Sequence, residues 1–375
     1  MLRNRETGFF LRQDKTHVTC TVFQYEFIMV DLSSYDPNSV SNPNNNIFGL
    51  PTDEESARLI ILPVPWEVTV SYGAGTARAP EAILKASYQV DLFDPEMPDA
   101  WKQGFYMRPV DRKLLMKSDY LRKEAELYID YISKGDDVNA NQFMCKTLKE
   151  VNEGGVFLTQ WIHDQSKALL DQDKLVGILG GDHSVPLGYM KALGEKHGDF
   201  GILQIDAHCD LRDTYEGFKH SHASIMFNAL KEVNNLQRVV QVGLRDYSQV
   251  EWDYIKNSAY KVIAYFDREI KERQFCGDTW KHIAEEIISQ LPDKVYISFD
   301  IDGLDRKLCP HTGTPVPGGF ELEEVYYMLK LLRESGKQII GFDLCEVGVS
   351  DSDWNANVGA RVLFKLCNLL VTANS

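Results

Sequence analysis

The sequence predicts an α/β fold built on a parallel sheet whose two faces are covered by helices. Two observations support this prediction: short apolar, β-branched segments recur from Leu59 onward, and amphipathic segments of helical length separate them. Continuous apolar runs of this kind are typical of parallel strands buried on both faces. Strands are expected at 59–63 and near residues 175, 202, 239, 261, 295 and 339. Helices are expected near residues 81, 186, 224, 250, 280, 322 and 356, with two more between 115 and 170, separated near residue 135.

The chain is expected to form one domain preceded by an N-terminal arm. Residues 33–46 are rich in Ser, Asn, Asp and Pro, which favour turns and provide too little apolar surface for a core. We assign residues 1–57 to the arm and residues 58–375 to the domain, which shows neither an internal repeat nor a second core. The arm is interpreted either as a disordered tail or as a segment ordered by a neighbouring subunit, with the apolar run 47–51 as its anchor.

Composition narrows the classes of function. The chain has 375 residues, of which 44% are hydrophobic and 25% are charged, as in ordinary soluble globular proteins. Its net charge of -15 argues against nucleic acid, because there is no basic field to meet phosphates, and it suits a small cationic partner. No apolar run approaches the ~20 residues of a membrane span, so no membrane partner is expected. The polar first residues, and seven cysteines without a C-x-x-C pair, predict a cytoplasmic protein with reduced thiols.

Acids and histidines are concentrated in three short segments, each of which directly follows a predicted strand. Because the carboxyl ends of parallel strands meet at one edge of a sheet, these side chains are expected to lie close together. An ionised group at the end of a buried strand is costly unless something compensates it, and a metal ion provides that compensation. The segments are Gly180-Gly181-Asp182-His183-Ser184, Asp206-Ala207-His208-Cys209-Asp210 and Asp300-Ile301-Asp302-Gly303-Leu304-Asp305.

The three segments together predict a site for two metal ions. A single Asp-x-His match is common and fits a polar strand end equally well. Asp206, His208 and Asp210 are spaced by two, so they would face one side if the strand continued through them. Two imidazoles and at least four carboxylates are more ligands than one ion needs. Oxygen-rich ligation favours Mn²⁺ over Zn²⁺.

Residues beside these ligand candidates each allow two interpretations. Asp182 is either a hydrogen-bond acceptor that fixes the tautomer of His183 or a structural residue, and Ser184 is either functional or a helix cap. His222 follows His220 by two residues, shortly after the second segment. A histidine there either moves protons beside the metals or lies on the surface, and we favour His222 for the first role.

Candidate substrate contacts come from three further segments. His311 and Thr314 lie in a loop rich in Pro and Gly, which is either a plain turn or a support that holds both side chains over the metals. Glu346 follows the last strand, where a carboxylate either receives a planar cation bidentately or caps a helix. Trp66 follows the first strand and is interpreted as a core residue or as part of the pocket wall.

The order of these segments resembles the ureohydrolase family, which includes arginase, agmatinase, formimidoylglutamase, guanidinobutyrase and guanidine hydrolase. The resemblance covers roughly residues 58–372 and rests on the three metal motifs, the Thr312-Gly-Thr314-Pro loop and Glu346. It implies a three-layer α/β/α sandwich around a mainly parallel eight-stranded sheet. It also implies two divalent metal ions per chain, Mn²⁺ or, as in some guanidine hydrolases, Ni²⁺, and assembly into homotrimers or homohexamers.

The resemblance assigns roles to individual residues. Glu346 corresponds to the acid that pairs with the guanidinium group, and Thr314 corresponds to a pocket hydroxyl. His222 corresponds to a substrate-side histidine, although Ala223 replaces the usual glycine. Asp210 would carry a proton to the leaving amine, so Asp210, His222 and Glu346 form the implied catalytic set. The implied ligands are His183, Asp206, Asp210 and Asp300 for one ion, and His208, Asp206, Asp300 and Asp302 for the other.

The implied reaction is hydrolysis of a small guanidino compound, agmatine-like or guanidine-like, to urea and an amine or ammonia. Two metals lower the pKa of bound water from ~16 to about 7 and so supply hydroxide for a poorly electrophilic carbon. Arg212 and Ser248 stand where arginases carry residues that grip the α-amino acid, which argues against arginase activity. The alternatives are arginase or formimidoylglutamase activity, a non-catalytic metal-binding paralogue that activates a partner enzyme, and a one-zinc amide hydrolase of the deacetylase type.

Overall fold

Eight β-strands pair into a single sheet in the part of the chain that the computed structural model describes, which is residue 32 and residues 35–375. All neighbouring strands of this sheet run parallel. The strands are β1 Leu59–Pro63, β2 Phe105–Met107, β3 Leu175–Leu179, β4 Phe200–Ile205, β5 Leu236–Leu244, β6 Val262–Phe266, β7 Lys294–Asp300 and β8 Gln338–Cys345.

Ten α-helices of the described chain cover the sheet on its two faces. Helices α1 and α7 to α10 contribute to one hydrophobic core, and α2 to α6 pack on the other. The helices are α1 Ala79–Ser87, α2 Arg112–Ser133, α3 Gln142–Leu170, α4 Leu187–His197, α5 Ile225–Glu232, α6 Gln249–Asn257, α7 Asp267–Phe275, α8 Trp280–Ser289, α9 Leu322–Glu334 and α10 Trp354–Thr372.

Strand residues alternate between the two cores, which explains why the strands read as continuous apolar runs. In β1, Leu59 and Ile61 belong to the core beneath α1 and α10, whereas Ile60 and Leu62 belong to the core on the other face. Side chains of successive strand residues point to opposite faces, so both sets must be apolar when both faces are covered. The predicted three-layer sandwich with an eight-stranded sheet is confirmed, and the sheet is parallel throughout.

Two elements were missed by the sequence-based prediction. Strand β2 has only three residues, too few for a periodic pattern, and it forms the sheet edge beside β1. Helix α7 reads Asp-Arg-Glu-Ile-Lys-Glu-Arg-Gln-Phe and buries only Asp267 and Ile270, so it lacks the apolar stripe that marks a helix in a sequence. The break between the predicted helices of region 115–170 lies at residues 134–141, where Gly135 has a positive φ of 82°.

The described part of the N-terminal arm packs against the chain's own domain. The Phe48 ring lies 5.0 Å from the Phe364 ring and 6.1 Å from the Phe105 ring, measured between centroids. Asn46 Oδ1 accepts a hydrogen bond of 2.6 Å from the Met107 amide, and Ser87 Oγ accepts one from the Phe48 amide. The apolar anchor therefore contacts α1, β2 and α10 of the same chain. Residues 1–31 and 33–34 lie outside the described part, and the domain boundary at residue 57 stays a prediction.

The strand order places the predicted functional segments side by side. The sheet runs β2-β1-β3-β8-β7-β4-β5-β6, so its four central strands are β3, β8, β7 and β4. A predicted functional segment lies at the carboxyl end of each of these strands. In the same order, these segments begin at Gly180, Glu346, Asp300 and Asp206. Among residues 32 and 35–375, no helix has both the length and the apolar character needed to cross a bilayer.

Candidate metal centre

His183 lies at the centre of a buried group of carboxylates. Its Nδ1 atom is 3.0 Å from Asp206 Oδ2, 3.0 Å from Asp210 Oδ2 and 3.3 Å from Asp300 Oδ2. All four side chains are almost fully buried, although they carry charge or strong dipoles. Three acids converging on one imidazole nitrogen is an arrangement that a cation stabilises.

A second group adjoins the first and shares Asp206 with it. His208 Nδ1 lies 3.0 Å from Asp302 Oδ2 and 3.6 Å from Asp206 Oδ1. Each of two sets, His183 with Asp206 and Asp300, and His208 with Asp206 and Asp302, presents ligand atoms within 4.8 Å of one another. All six predicted ligands therefore converge on one region at the carboxyl edge of the sheet.

Backbone hydrogen bonds, rather than a continued strand, orient the second segment. Strand β4 ends at Ile205, so the expected alternation from Asp206 through Asp210 does not occur. Instead Asp206 Oδ1 accepts a bond of 2.6 Å from the His208 amide, and Asp302 Oδ1 accepts one of 3.0 Å from the Ala207 amide. Asp210 has a positive φ of 54°, which turns its side chain back toward His183.

Unsatisfied atoms at this site fit bound cations, either metal ions or a cationic substrate group. His183 Nδ1, Asp302 Oδ2 and Glu346 Oε2 are buried and have no hydrogen-bond partner among the described residues. Buried polar atoms are nearly always hydrogen-bonded, so three such atoms in one region call for a ligand. Imidazole nitrogen and carboxylate oxygen are suitable donors for Mn²⁺, Ni²⁺ and related ions.

The site's acids and histidine strongly perturb each other's pKa values. Burial raises the pKa of Asp210 to about 7, and the neighbouring charge of Asp206 adds to that rise. Burial disfavours the charged form of His183, but Asp206, Asp210 and Asp300 outweigh it and raise the pKa of His183 well above its usual value. Burial also raises the pKa of Asp300. Without a cation these groups therefore retain protons near neutral pH, and metal ions and protons compete for the same atoms.

The Nε2 side of His183 contacts residues that sequence reasoning missed. Nε2 lies 2.9 Å from Ser298 Oγ and 3.8 Å from Asp343 Oδ1. Asp182, one predicted partner of the imidazole, instead accepts hydrogen bonds at Oδ1 from the Ser184 amide and hydroxyl. Asp343 had a visible signal in the sequence, namely an acid in the middle of a buried apolar strand.

Glu346 links the first segment to the end of the last strand. Its Oε1 accepts a hydrogen bond of 2.8 Å from the His183 amide, and its own amide donates one to the Gly181 carbonyl. A Cβ atom at Gly181 would overlap the Trp66 carbonyl oxygen, so only glycine allows this close approach. Burial raises the pKa of Glu346 well above its usual value, and Asp182 adds to that rise.

A cavity of about 130 Å³ opens beside the two groups. His222 lies in its wall, where its Nδ1 is 3.5 Å from Thr69 Oγ1 and its amide donates a hydrogen bond of 3.2 Å to the same hydroxyl. Burial lowers the pKa of His222 to about 3, so the imidazole is neutral at physiological pH. The cavity is lined by Ser71, His208, Asp210, Arg212, Tyr215, His222, Ala223, Asp246, Tyr247, Glu251 and Thr314.

Of the other residues predicted to contact the substrate, Thr314 lines this cavity and His311 and Trp66 do not. His311 is exposed, and its carbonyl oxygen accepts hydrogen bonds from Gly348 and Asn355. Trp66 is 1% exposed and packs in the core with α2 and α3, outside the residues that line the cavity. Asp305 lies apart from the acids and accepts a bond from the Lys307 amide.

Two further residues hold the loops around the cavity and were not identified in the sequence. Glu251 is 3% exposed and accepts hydrogen bonds from the amide of Leu211 and from both the amide and the hydroxyl of Ser248. Arg245 donates a hydrogen bond of 2.6 Å to the Asp302 carbonyl, which ties the end of β5 to the third segment. The Ser248-x-x-Glu251 pattern could have revealed the helix cap, whereas the bonds to Leu211 and Asp302 join segments far apart in sequence and leave no local signal.

Comparison with known proteins shows which family the chain resembles. Residues 57–368 match the sequence profile of the Arginase family. The N(1)-aminopropylagmatine ureohydrolase of Thermus thermophilus is 31% identical over 299 residues, which cover 79% of this chain and 84% of that protein. The guanidinobutyrase of Pseudomonas aeruginosa is 31% identical over 202 residues, covering 51% of this chain and 59% of that protein.

A solved structure shows the same fold. The agmatine ureohydrolase of Thermoplasma volcanium aligns with a TM-score of 0.63 at 21% identity, covering 91% of this chain and 97% of that chain. The protein is therefore a hydrolase of the ureohydrolase type, a class that acts on C–N bonds of linear amidines. In particular, the chain belongs to the Arginase family.

Proposed function

We propose that the protein hydrolyses the guanidinium group of a small cationic compound of the agmatine type, releasing urea and an amine. The observation that carries the proposal is the convergence of His183, His208 and four aspartates beside a cavity of about 130 Å³. A cavity this small, well below the ~300 Å³ lower limit typical of drug-sized ligands, suits a compact substrate. Two divalent ions per chain are the cofactors of this proposal, Mn²⁺ first and Ni²⁺ as the alternative.

Three residues of the chain take separate tasks in the proposed reaction. When bound, the two ions supply a hydroxide nucleophile at neutral pH by lowering the pKa of water. Glu346 orients the guanidinium group with its unpaired Oε2 and so places the reacting carbon. Asp210 delivers a proton to the departing nitrogen, so that the C–N bond breaks to give a neutral amine. His222 stays neutral and accepts a hydrogen bond from the substrate side of the cavity.

Two residues in and beside the cavity wall support agmatine-like substrates over arginine. Ser248 lies at the position where arginases bind the α-amino acid group of arginine. Its hydroxyl donates a hydrogen bond to Glu251, and the residue caps helix α6. Arg212 stacks its guanidinium 4.9 Å from the Tyr215 ring and pairs with Glu251 at 3.7 Å. Neither side chain offers the carboxylate that would bind an α-ammonium group. The names of the similar proteins, which include N(1)-aminopropylagmatine ureohydrolase and guanidinobutyrase, favour a small guanidino compound in the same way.

A substrate panel tests the proposal directly. The protein, loaded with Mn²⁺ or Ni²⁺, would be offered agmatine, N(1)-aminopropylagmatine, guanidine, guanidinobutyrate, arginine and formimidoylglutamate, with urea, ammonia and formamide assayed. We expect urea from an agmatine-type compound with kcat/KM at least about tenfold above that for arginine, a difference of ~1.4 kcal/mol in transition-state binding. Asp206→Ala is the control for contaminating activity. Absence of product from all six compounds would leave the non-catalytic paralogue as the better account.

Oligomeric state and cellular location belong to the same proposal. The family resemblance supports a homotrimer or homohexamer, and the acidic, thiol-bearing sequence supports a cytoplasmic protein. Light scattering of the purified chain and fractionation of the producing cells would test these two points separately.

A further inference from the structure

The two nitrogens of His183 face different surroundings. Nδ1 faces the carboxylates of the candidate metal centre, at 3.0 to 3.3 Å. Nε2 faces Ser298 Oγ at 2.9 Å and Asp343 Oδ1 at 3.8 Å. Ser298 and Asp343 are direct partners in the register of β7 and β8, so the sheet itself holds the two side chains on one face beneath the imidazole. A neutral imidazole carries one proton, and its neighbours decide which nitrogen holds it.

Asp343 is costly to bury, and Tyr296 is the one residue of the described chain that donates a hydrogen bond to its carboxyl group. Its side chain is fully buried, and its Oδ2 accepts a bond of 2.5 Å from the Tyr296 hydroxyl. Its Oδ1, the atom nearest to His183, has no hydrogen-bond partner among the described residues. Burial raises the pKa of Asp343, and His183, Tyr296 and Ser298 each oppose that rise. A carboxyl group serving only to anchor Tyr296 would not need an unpaired oxygen directed at the imidazole.

We infer that Ser298 and Asp343 are positioning residues that keep the proton of His183 on Nε2. With a cation on the Nδ1 side, the single proton of the neutral imidazole stays on Nε2, which lies 2.9 Å from Ser298 Oγ and 3.8 Å from Asp343 Oδ1. Ser298 Oγ then accepts that N–H and fixes the plane of the ring. The lone pair of Nδ1 is thereby directed at Asp206, Asp210 and Asp300, where a metal ion would bind. The inference rests on the proposed metal centre and concerns one half of it.

His208 provides an internal comparison. Its ring lines the cavity, and its side chain is 21% exposed, against 1% for His183. Solvent can satisfy its second nitrogen, so no buried acid is required there. Loss of Asp343 should therefore affect one ion of the proposed pair much more than the other.

The test compares three isosteric or truncating variants of the full-length chain. Asp343→Asn keeps the shape of the side chain but places a donor where the carboxylate stood, and Ser298→Ala removes the acceptor of the Nε2 proton. Tyr296→Phe is the matched control, because it removes the hydroxyl next to Asp343 and leaves the carboxylate. Bound Mn²⁺ per chain would be measured by elemental analysis, and the affinity of each ion by competition with a fluorescent chelator. Thermal melting of each variant without added metal reports on the fold itself.

The expected result is a loss of affinity for one ion by at least about tenfold in Asp343→Asn and in Ser298→Ala. Tyr296→Phe should keep both ions within about threefold of the parent affinity, the cost of one modest hydrogen bond.

If both ions bind to Asp343→Asn and Ser298→Ala as they bind to the parent, the inference is wrong. Equal loss of both ions together with a collapsed melting transition would also overturn it. Should Asp343→Asn alone fail to fold, Ser298→Ala decides. A parent chain that binds no ion would instead refute the proposed metal centre.

Discussion

The Glu346 carboxylate accepts a hydrogen bond of 2.8 Å from the backbone amide of His183. The two residues are 163 positions apart, yet they follow neighbouring strands of the sheet, β3 and β8. One oxygen of the carboxylate thus holds the loop that carries a candidate metal ligand, and the other oxygen has no hydrogen-bond partner in the described part of the chain. This division of tasks allows binding of substrate to be separated from binding of metal by experiment.

Glu346→Gln should weaken substrate binding more than it alters metal content. The amide oxygen of Gln can still accept the bond from His183, whereas the charge that pairs with a guanidinium group is lost. A charge-assisted hydrogen bond contributes about 1.5–3 kcal/mol, so we expect kcat/KM to fall by roughly 10- to 150-fold, mainly through KM. Steady-state kinetics and elemental analysis of the same preparation check this. Metal loss in proportion to activity would contradict it.

Substitution of an acid predicted to bind both ions, Asp206 or Asp300, should lower the metal content more than substitution of Asp302, which is predicted to bind one ion. Asp206 contacts both histidines, and Asp300 lies beside both His183 and Asp302, so Asp206→Ala and Asp300→Ala are expected to lose both ions. Asp302→Ala should mainly weaken the ion next to His208, because its free oxygen lies 3.0 Å from that ring. Ions per chain, counted after dialysis, distinguish these outcomes. Equal loss in all three variants would refute the assignment of shared and separate ligands.

Metal affinity should rise with pH through the neutral range. Burial raises the pKa of Asp210 to about 7, and its neighbouring acids raise the pKa of His183 well above its usual value despite burial. Both groups therefore hold protons at low pH, and an ion must displace these protons before it binds. We expect the Mn²⁺ dissociation constant to fall at least about tenfold between roughly pH 6 and roughly pH 8, with release of protons. Isothermal titration in buffers of different ionisation enthalpy measures both quantities, and a pH-independent constant would exclude the competition.

His222 should act in catalysis without titrating in the working pH range. Burial lowers the pKa of His222 to about 3, so the imidazole is already neutral above that pH. Replacing it with Asn should lower kcat/KM by about three- to tenfold while both ions stay bound, as expected for the loss of one hydrogen bond to the substrate. The acidic limb of the pH–rate profile should keep its midpoint in the variant. A shift of that midpoint would show that His222 itself titrates there. His220→Asn is the matched control, since that side chain packs against α3 outside the lining of the cavity.

Local sequence patterns predicted most strands and helices and the three segments that carry the candidate ligands, and the family resemblance selected the six ligands among them. Each strand with two buried faces is a continuous apolar run, and each ligand segment is a polar interruption at the end of such a run. These signals depend on neighbouring residues only, so they can be read from the sequence. The three-residue strand β2 and the highly charged helix α7 were missed because they lack any periodic apolar pattern.

The contacts between segments were decided by the tertiary structure alone. Strand order places β3, β8, β7 and β4 side by side, and nothing within one segment specifies that order. Ser298 and Asp343 approach His183 because they are register partners in β7 and β8, and Trp66 is buried in the core to which α2 and α3 contribute. By itself the sequence determined which residues stand at strand ends and which kind of chemistry they suit. Their distances and the protonation of His183 depend on packing between strands, because hydrogen bonds and charges act across space rather than along the chain.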